Sequence, residues 1–232
     1  MKILSIDSTA NTSTVALLEN DKLLGIYTAN TKNTHSETLL PMVETALKHY
    51  GITIDEVELF AVSAGPGSFT GVRIGVATLK GIAFGKSKPC VAVSTLEAIA
   101  ENAKAREGLI CPVMNARRSQ VYTALFSSDG EKLTRLMPDS ALSINELDEL
   151  LSKYEHPVTF CGDGYGITLK ALKNTTASPL PDRLRHQSAY SVAQVALRKY
   201  ESGEYTNDTD LTVTYLRPSQ AERERMEKEN LL

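Results

Sequence analysis

Residues 65–71, Gly65-Pro66-Gly67-Ser68-Phe69-Thr70-Gly71, join the apolar run Leu59 to Ala64 to a helical pattern that starts near Val72. A glycine-rich turn between a strand and a helix commonly holds a phosphate, because backbone N–H groups and the positive end of the helix dipole converge there. The spacing here is G-x-G-x-x-x-G, one residue longer than the dinucleotide fingerprint, and no G-K-[ST] ending follows. Neither Rossmann nor P-loop chemistry is therefore indicated. Two readings stay open: a working nucleotide turn, or a tight joint in which Gly65 and Gly67 supply conformation alone. Ser68 is not in a G-x-S-x-G setting and has no histidine close in sequence, so Ser68 or Thr70 is read as a helix N-cap.

Outward from this joint, residues 2–6, 13–19 and 22–30 read as strands, the last two linked by the two-residue turn Asn20-Asp21. Leu39, Leu40, Val43, Leu47 and Tyr50 recur at helical spacing, and Gly51 supplies a left-handed stop, giving a helix over 37–50. Pro41 must kink that helix or lie in its first turn. The joint then leads from a strand at 59–64 into a second helix at 70–85, followed by a strand at 90–93 and a third helix opened by Ser94 and Glu97. After Gly108 the pattern restarts: strands at 109–114, 121–127, 132–137 and 158–161, and helices at 144–152 and 189–201. The expected lobes are 1–107 and 108–220, with a charged tail at 221–232.

Bulk composition narrows the function. With 42% hydrophobic and 23% charged residues, the chain reads as an ordinary globular protein. A net charge of -3 argues against a surface dominated by nucleic-acid contacts, while leaving room for a local basic patch. The three cysteines, Cys90, Cys111 and Cys161, are widely separated and form no CxxC pair, so they read as buried fillers. No signal segment or membrane-length apolar run is seen, and a cytoplasmic chain without membrane partners is expected.

The second helix carries two stripes. Val72, Val76, Leu79 and Ala83 form an apolar face, and Gly71, Gly75, Thr78, Gly81 and Gly85 a small-residue face beside it. Interior helix glycine costs about 1 kcal/mol relative to alanine, so the small face needs a reason. Close packing within this chain and close approach of a partner's helices are equally good reasons at this level. Asp7, Ser8 and Thr9 end the first strand in a carboxylate and hydroxyls, the equipment for a metal–phosphate turn, although such residues more commonly make an Asx or Ser/Thr turn. His35 with Glu37 could suggest an acid–base or metal pair, but no histidine pair at i, i+4 accompanies it, and His35 is read instead as a lone polar histidine at a helix entrance. Arg117 and Arg118 sit on a turn between two strands, either solvated or placed to hold a phosphate or a partner's carboxylates.

Taken in order, "IDSTANTSTVAL", "HSETLLP", "GPGSFTGVRIG", "NARRSQVY" and "YLRPSQAERE" resemble the bacterial TsaB (YeaZ) family over essentially the whole chain. The resemblance implies a two-lobed α/β, actin-like and Hsp70-like ATPase (ribonuclease H-like) fold, each lobe a mixed five-stranded sheet with helices. It also implies a non-catalytic scaffold or activating subunit in formation of N6-threonylcarbamoyladenosine at position 37 of tRNAs reading codons that begin with A. Its implied partners are the catalytic paralogue TsaD, the P-loop ATPase TsaE, tRNA through the complex, and a second copy when the paralogue is missing. No cofactor is implied for this chain itself, with ATP or ADP entering at the level of the complex, and no metal site.

The paralogue's H-x-x-x-H pair is absent here, where His35 is followed by Ser36 and Glu37, and the phosphate-turn glycine of active ATPases is replaced by the Asp7-Ser8-Thr9 run. Asp7, Thr9, Gly65 and Gly67 are thus expected to mark a vestigial nucleotide cleft, with no catalytic residue assigned. The family's helix-on-helix interface falls on Leu39, Val43, Leu47, Gly71, Gly75, Thr78 and Ile82. Asn115 stands where the family often has aspartate. The competing functions are an autonomous ATP-dependent phosphotransferase and, more remotely, a peptidase using Ser68.

Overall fold

The computed structural model describes residues 1–31, 33–178, 180–217 and 225. The expected charged tail lies outside the described residues except for Arg225. Alternation of side chains across a pleated strand sets the first sheet. In β1 (Lys2–Asp7), Leu4 and Ile6 point to one core while Ile3 points to another. β2 (Ser13–Glu19) and β3 (Lys22–Ala29) add antiparallel through a turn in which Asn20 takes a positive φ of 56°. β4 (Leu59–Ser63) and β5 (Cys90–Val93) add parallel on the other side, giving the order β3-β2-β1-β4-β5.

The second sheet repeats this plan. β6 (Gly108–Asn115), β7 (Gln120–Ser128) and β8 (Leu133–Ser143) form the antiparallel side, and β9 (Val158–Cys161) and β10 (Ala177–Ser178) the parallel side. Read from β8, the order β8-β7-β6-β9-β10 matches the first sheet strand for strand. The repeat is one of topology. β8 runs past the expected end at 137 and through Pro138, which it tolerates as an edge strand whose pairing with β7 is irregular near Leu125.

Helix α1 (His35–Tyr50) starts two residues earlier than expected because Thr34 and Glu37 form a capping box, and it ends on Gly51 at φ 62°. Pro41 lies in its second turn, on the exposed side. α1 and α2 (Phe69–Ala83) cover one face of the first sheet, where Leu39, Val43, Val72 and Leu79 meet Leu4, Ile6, Phe60 and Val62. The opposite face is covered by α6 (Ala189–Glu201), the last described helix, through Val192, Ala193 and Ala196 against Ile3, Leu59 and Ala61. Conversely α3 (Thr95–Glu101), which follows the first sheet, packs Leu96 and Ile99 on Ile110, Ala124 and Phe126 of the second. α4 (Ile144–Leu151) and α5 (Tyr165–Ala171) close the far side of that sheet. These crossing helices join the two lobes back to back and leave a cleft above the joint.

Candidate functional site

The cleft has a volume of about 550 Å³ and lies between the β1–β2 turn, the N-terminus of α2, the β6–β7 turn and the segment around Arg217. Its floor is fixed from the first strand. Asp7 is fully buried and faces inward: Oδ1 accepts the backbone N–H of Thr9 at 2.8 Å and its hydroxyl at 2.7 Å, and Oδ2 accepts the Ser63 hydroxyl at 2.5 Å. Burial pushes its carboxyl above the ordinary range, against the opposing pull of those donors and of His35. Thr9 and Gly67 line the cleft, whereas Asp7 and Gly65 do not.

The glycine loop is held as a joint. The Ser68 N–H donates to Thr9 O at 2.8 Å, Thr95 N–H to Gly65 O at 2.9 Å, and Thr214 N–H to Ala64 O at 2.7 Å. A Cβ at Gly67 would lie 2.5 Å from Thr9 O, and one at Gly65, whose φ is 115°, would lie 2.3 Å from Thr214 O. Both glycines are therefore required by close backbone approach. Ser68 caps α2 through its Oγ, which accepts the Gly71 N–H at 3.3 Å.

His35 stands at the start of α1. Its Nε2 is 2.7 Å from Ala10 O and its Nδ1 2.6 Å from Ser13 Oγ, so the ring donates to the carbonyl and accepts from the hydroxyl. It ties α1 to the β1–β2 turn. His35 is thus a polar histidine at a helix entrance, and Glu37 is engaged elsewhere, accepting the Thr34 N–H at 2.8 Å in the capping box. Among the described residues no group of three His, Cys, Asp or Glu side chains is arranged to hold a metal ion.

The small stripe of α2 requires a correction in orientation. Gly71 and Gly75 are buried against this chain's own β1–β2 turn: a Cβ at Gly71 would meet Ser8 O at 2.1 Å, and one at Gly75 would meet Ser8 Oγ at 2.5 Å. Ser8 Oγ in turn donates to Gly71 O at 2.9 Å. The glycines exist so that the helix can lie on the turn, and Leu39 and Val43 are likewise core residues. Leu47, Thr78 and Ile82 stay partly exposed. Beside them the structure exposes Leu40 at 47% and Phe84 at 75%, with Ile74 half-buried. Ile74, Thr78 and Ile82 follow i, i+4, i+8, and Leu40 and Leu47 follow i, i+7. That spacing was available in the sequence but was overshadowed by the glycines.

The cleft walls carry three arginines. Arg73 Nε donates to the Tyr215 hydroxyl at 2.6 Å, over a Phe69–Tyr215 stack with centroids 5.0 Å apart and planes 13° from parallel. Arg117 opens a turn in which it, Arg118 and Ser119 all take positive φ values, held by Arg117 N–H donating to Asn115 Oδ1 at 2.8 Å. Asn115 thus shapes the turn. Arg217 Nη1 donates to Ala116 O at 3.3 Å. The acidic member, Asp163, accepts the Asn115 N–H at 3.2 Å, and burial pushes its carboxyl up. Arg73 and Arg217 were not singled out from sequence, since distant arginines carry no local pattern.

Two sheets of identical 3-2-1-4-5 topology, crossed helices and a cleft between the β1–β2 and β6–β7 turns define a protein of the two-lobed actin-like fold. A family model described as TsaD, tRNA N6-adenosine threonylcarbamoyltransferase, matches residues 11–223. The chain is 37% identical to the tRNA threonylcarbamoyladenosine biosynthesis protein TsaB of Bacillus subtilis over 162 residues, 70% of this chain and 71% of that one. It is 35% identical to the TsaB of Escherichia coli K12 over 131 residues, 56% of each. The solved structure of YeaZ from Pseudomonas aeruginosa superposes with a TM-score of 0.75 at 25% identity, covering 93% of this chain and 99% of that one. The chain belongs to the TsaB family of tRNA threonylcarbamoyladenosine biosynthesis proteins.

Proposed function

We propose that this chain acts in formation of N6-threonylcarbamoyladenosine in tRNA as a scaffold and activating subunit without chemistry of its own. Family membership supports the pathway. The observation that carries the non-catalytic part is Asp7: its carboxylate oxygens are taken by Thr9 and Ser63 and turned from the cleft. A carboxylate that ligates a metal–phosphate group has to present an oxygen to it, and Asp7 does not line the cleft. The chain pairs with a TsaD-type paralogue that performs the transfer, and a TsaE-type P-loop ATPase joins the pair. ATP or ADP enters at the level of that complex, and a second copy takes the paralogue's place when it is missing.

The pairing surface is the outer side of α1 and α2, which leaves the apolar Leu40, Leu47, Ile74 and Ile82 incompletely covered, with Thr78 on the same helix face as Ile74 and Ile82. Fully burying an exposed side chain of this kind contributes about 1.5–3 kcal/mol, proportionately less for one already half-buried, and a charge placed there is desolvated on pairing. Sedimentation of the purified chain with the paralogue tests this reading. Leu40→Glu and Ile74→Glu should leave the monomer folded and weaken pairing by two or more decades. Undiminished pairing by both folded variants would place the interface elsewhere.

A further inference from the structure

Between the lobes α3 crosses α6, and the two helices are tied to opposite sheets. α3 follows the first sheet in the chain but is fixed to the second: beyond its apolar contacts there, Glu97 pairs with Arg135 of β8 at 3.0 Å and Ser94 Oγ donates to Asp139 Oδ2 at 2.5 Å. α6 follows the second sheet but is fixed to the first, where the Ser5 hydroxyl of β1 donates to Ala189 O at 2.7 Å and the Ala189 N–H donates to Thr14 Oγ1 at 3.4 Å. A change in the angle between the lobes must therefore move α3 against α6. We infer that this crossing is a latch: Glu101 with Arg198, and Asn102 with Ser191, hold the lobes at one angle and the interlobe cleft at one width. The latch concerns the crossing helices rather than the pairing surface and does not depend on the proposed role.

Both ties are polar contacts in a place where apolar ones would pack as well. Arg198 donates to Glu101 through two prongs, Nη2 to Oε2 at 2.7 Å and Nη1 to Oε1 at 3.2 Å, and Lys104 Nζ lies 2.7 Å from the same Oε1. The Glu101 side chain is only 4% exposed. Asn102, the C-cap of α3, accepts the Ser191 hydroxyl at 2.5 Å through Oδ1 and donates from Nδ2 to His186 O at 2.7 Å. Burying a carboxylate is costly, and replacing a buried ion pair by apolar side chains of like volume is often neutral or stabilising. What the pair supplies is direction. Packed apolar helices can slide over one another, which is how sheared domains move, whereas a guanidinium fork fits a carboxylate at one angle and spacing.

Two ties do what one cannot. Ser191 and Arg198 are seven residues apart, two turns along one face of α6, and so about 10 Å apart on its axis. A single contact is a pivot, while two at this spacing also oppose rotation. Relative motion is the ordinary expectation for packed units unless their interface is large and apolar. A cleft of fixed width therefore needs such a device, because its walls come from different lobes: Thr9 and Gly67 from one, Met114 and Arg117 from the other.

Single-molecule energy transfer tests the latch in the full chain, with dyes attached at Lys22→Cys on β3 and Glu149→Cys on α4, both exposed, while the native cysteines are buried. The chain with an intact crossing should give one narrow transfer peak. Arg198→Met combined with Asn102→Ala removes both ties. Loss of a charged hydrogen bond moves a two-state equilibrium by about tenfold or more, so the fraction of molecules outside the peak should rise by at least about tenfold. Lys2→Met, which breaks a 2.9 Å ion pair to Glu56 within the first lobe, should leave the peak unchanged. Arg198→Lys keeps the charge but not the fork; it should broaden the peak, and it decides the question if the double variant fails to fold by near-ultraviolet circular dichroism. An unchanged peak in the folded double variant, or in Arg198→Lys standing in for it, overturns the inference. So does equal broadening by Lys2→Met, or more than one peak while the crossing is intact.

Discussion

Substituting alanine at Gly71 and at Gly75 probes the contact between α2 and the β1–β2 turn, and the two sites should respond differently to a change at Ser8. At Gly71 the new methyl lies 2.1 Å from the Ser8 carbonyl oxygen, which is backbone and cannot rotate away. The helix must move, at an overpacking cost of about 1–3 kcal/mol. That movement also strains the Ser8 Oγ to Gly71 O hydrogen bond, a contribution of about 0.5–1.5 kcal/mol. Recovered helix propensity offsets at most about 1 kcal/mol. The net expectation is a loss of about 1–3 kcal/mol, and in a chain of this size each kcal/mol lowers Tm by about 2–4 °C. At Gly75 the obstacle is Ser8 Oγ at 2.5 Å, a side-chain atom. Gly75→Ala should therefore be rescued in a Ser8→Ala background, while Gly71→Ala should not. Urea denaturation of the three single and two double variants, treated as two double-mutant cycles against wild type, measures the difference. If Gly75→Ala is more stable than wild type and shows no coupling to Ser8, the stripe faces outward and this packing is wrong.

Three further expectations follow from single groups. Asp7 has its folded carboxyl raised above its ordinary value of 3.8, so its contribution to stability is full below that value and is lost as pH rises through the folded pKa. Asp7→Asn, which keeps an acceptor for Thr9 and can donate to Ser63, should flatten that dependence and be at least as stable at neutral pH; steeper loss of stability for the variant would refute it. Burial pushes the Cys90 thiol up to about 11 and Cys111 up to about 12, so native protein should react with a thiol reagent no faster than it opens, as a stopped-flow trace would show. Gly65→Ala meets both a positive φ and Thr214 O at 2.3 Å, and should lower Tm by several degrees, whereas a tolerated alanine would mean the loop is loosely held.

What the sequence made legible was whatever a local rule governs. Alternation placed β1 and β2 to within a residue, and caps placed α1 and α4, because Gly51 and the Ser143–Glu146 box terminate helices through their own backbone bonds. α5 escaped because its N-cap, Gly164, makes no side-chain bond and its seven residues leave little periodicity. The direction of the small stripe was not legible: Gly71 and Gly75 announce close approach without naming the neighbour, and only the third dimension supplies Ser8. The crossing of α6 onto the first sheet and the duplicated topology leave no trace in residue identity, since apolar faces of similar sheets are interchangeable as patterns. The arginines of the cleft come from sites 44 and 100 residues apart in the chain (73 to 117, 117 to 217), beyond any motif.

The central claim is that this chain is required for tRNA threonylcarbamoylation yet performs none of it. Nucleoside analysis of unmodified tRNA incubated with the paralogue, the P-loop ATPase, ATP and threonylcarbamoyl-adenylate, with and without this chain, tests it directly. N6-threonylcarbamoyladenosine should form only in the complete mixture, and this chain alone should give none. Formation by this chain alone, or undiminished formation in its absence, would contradict the account.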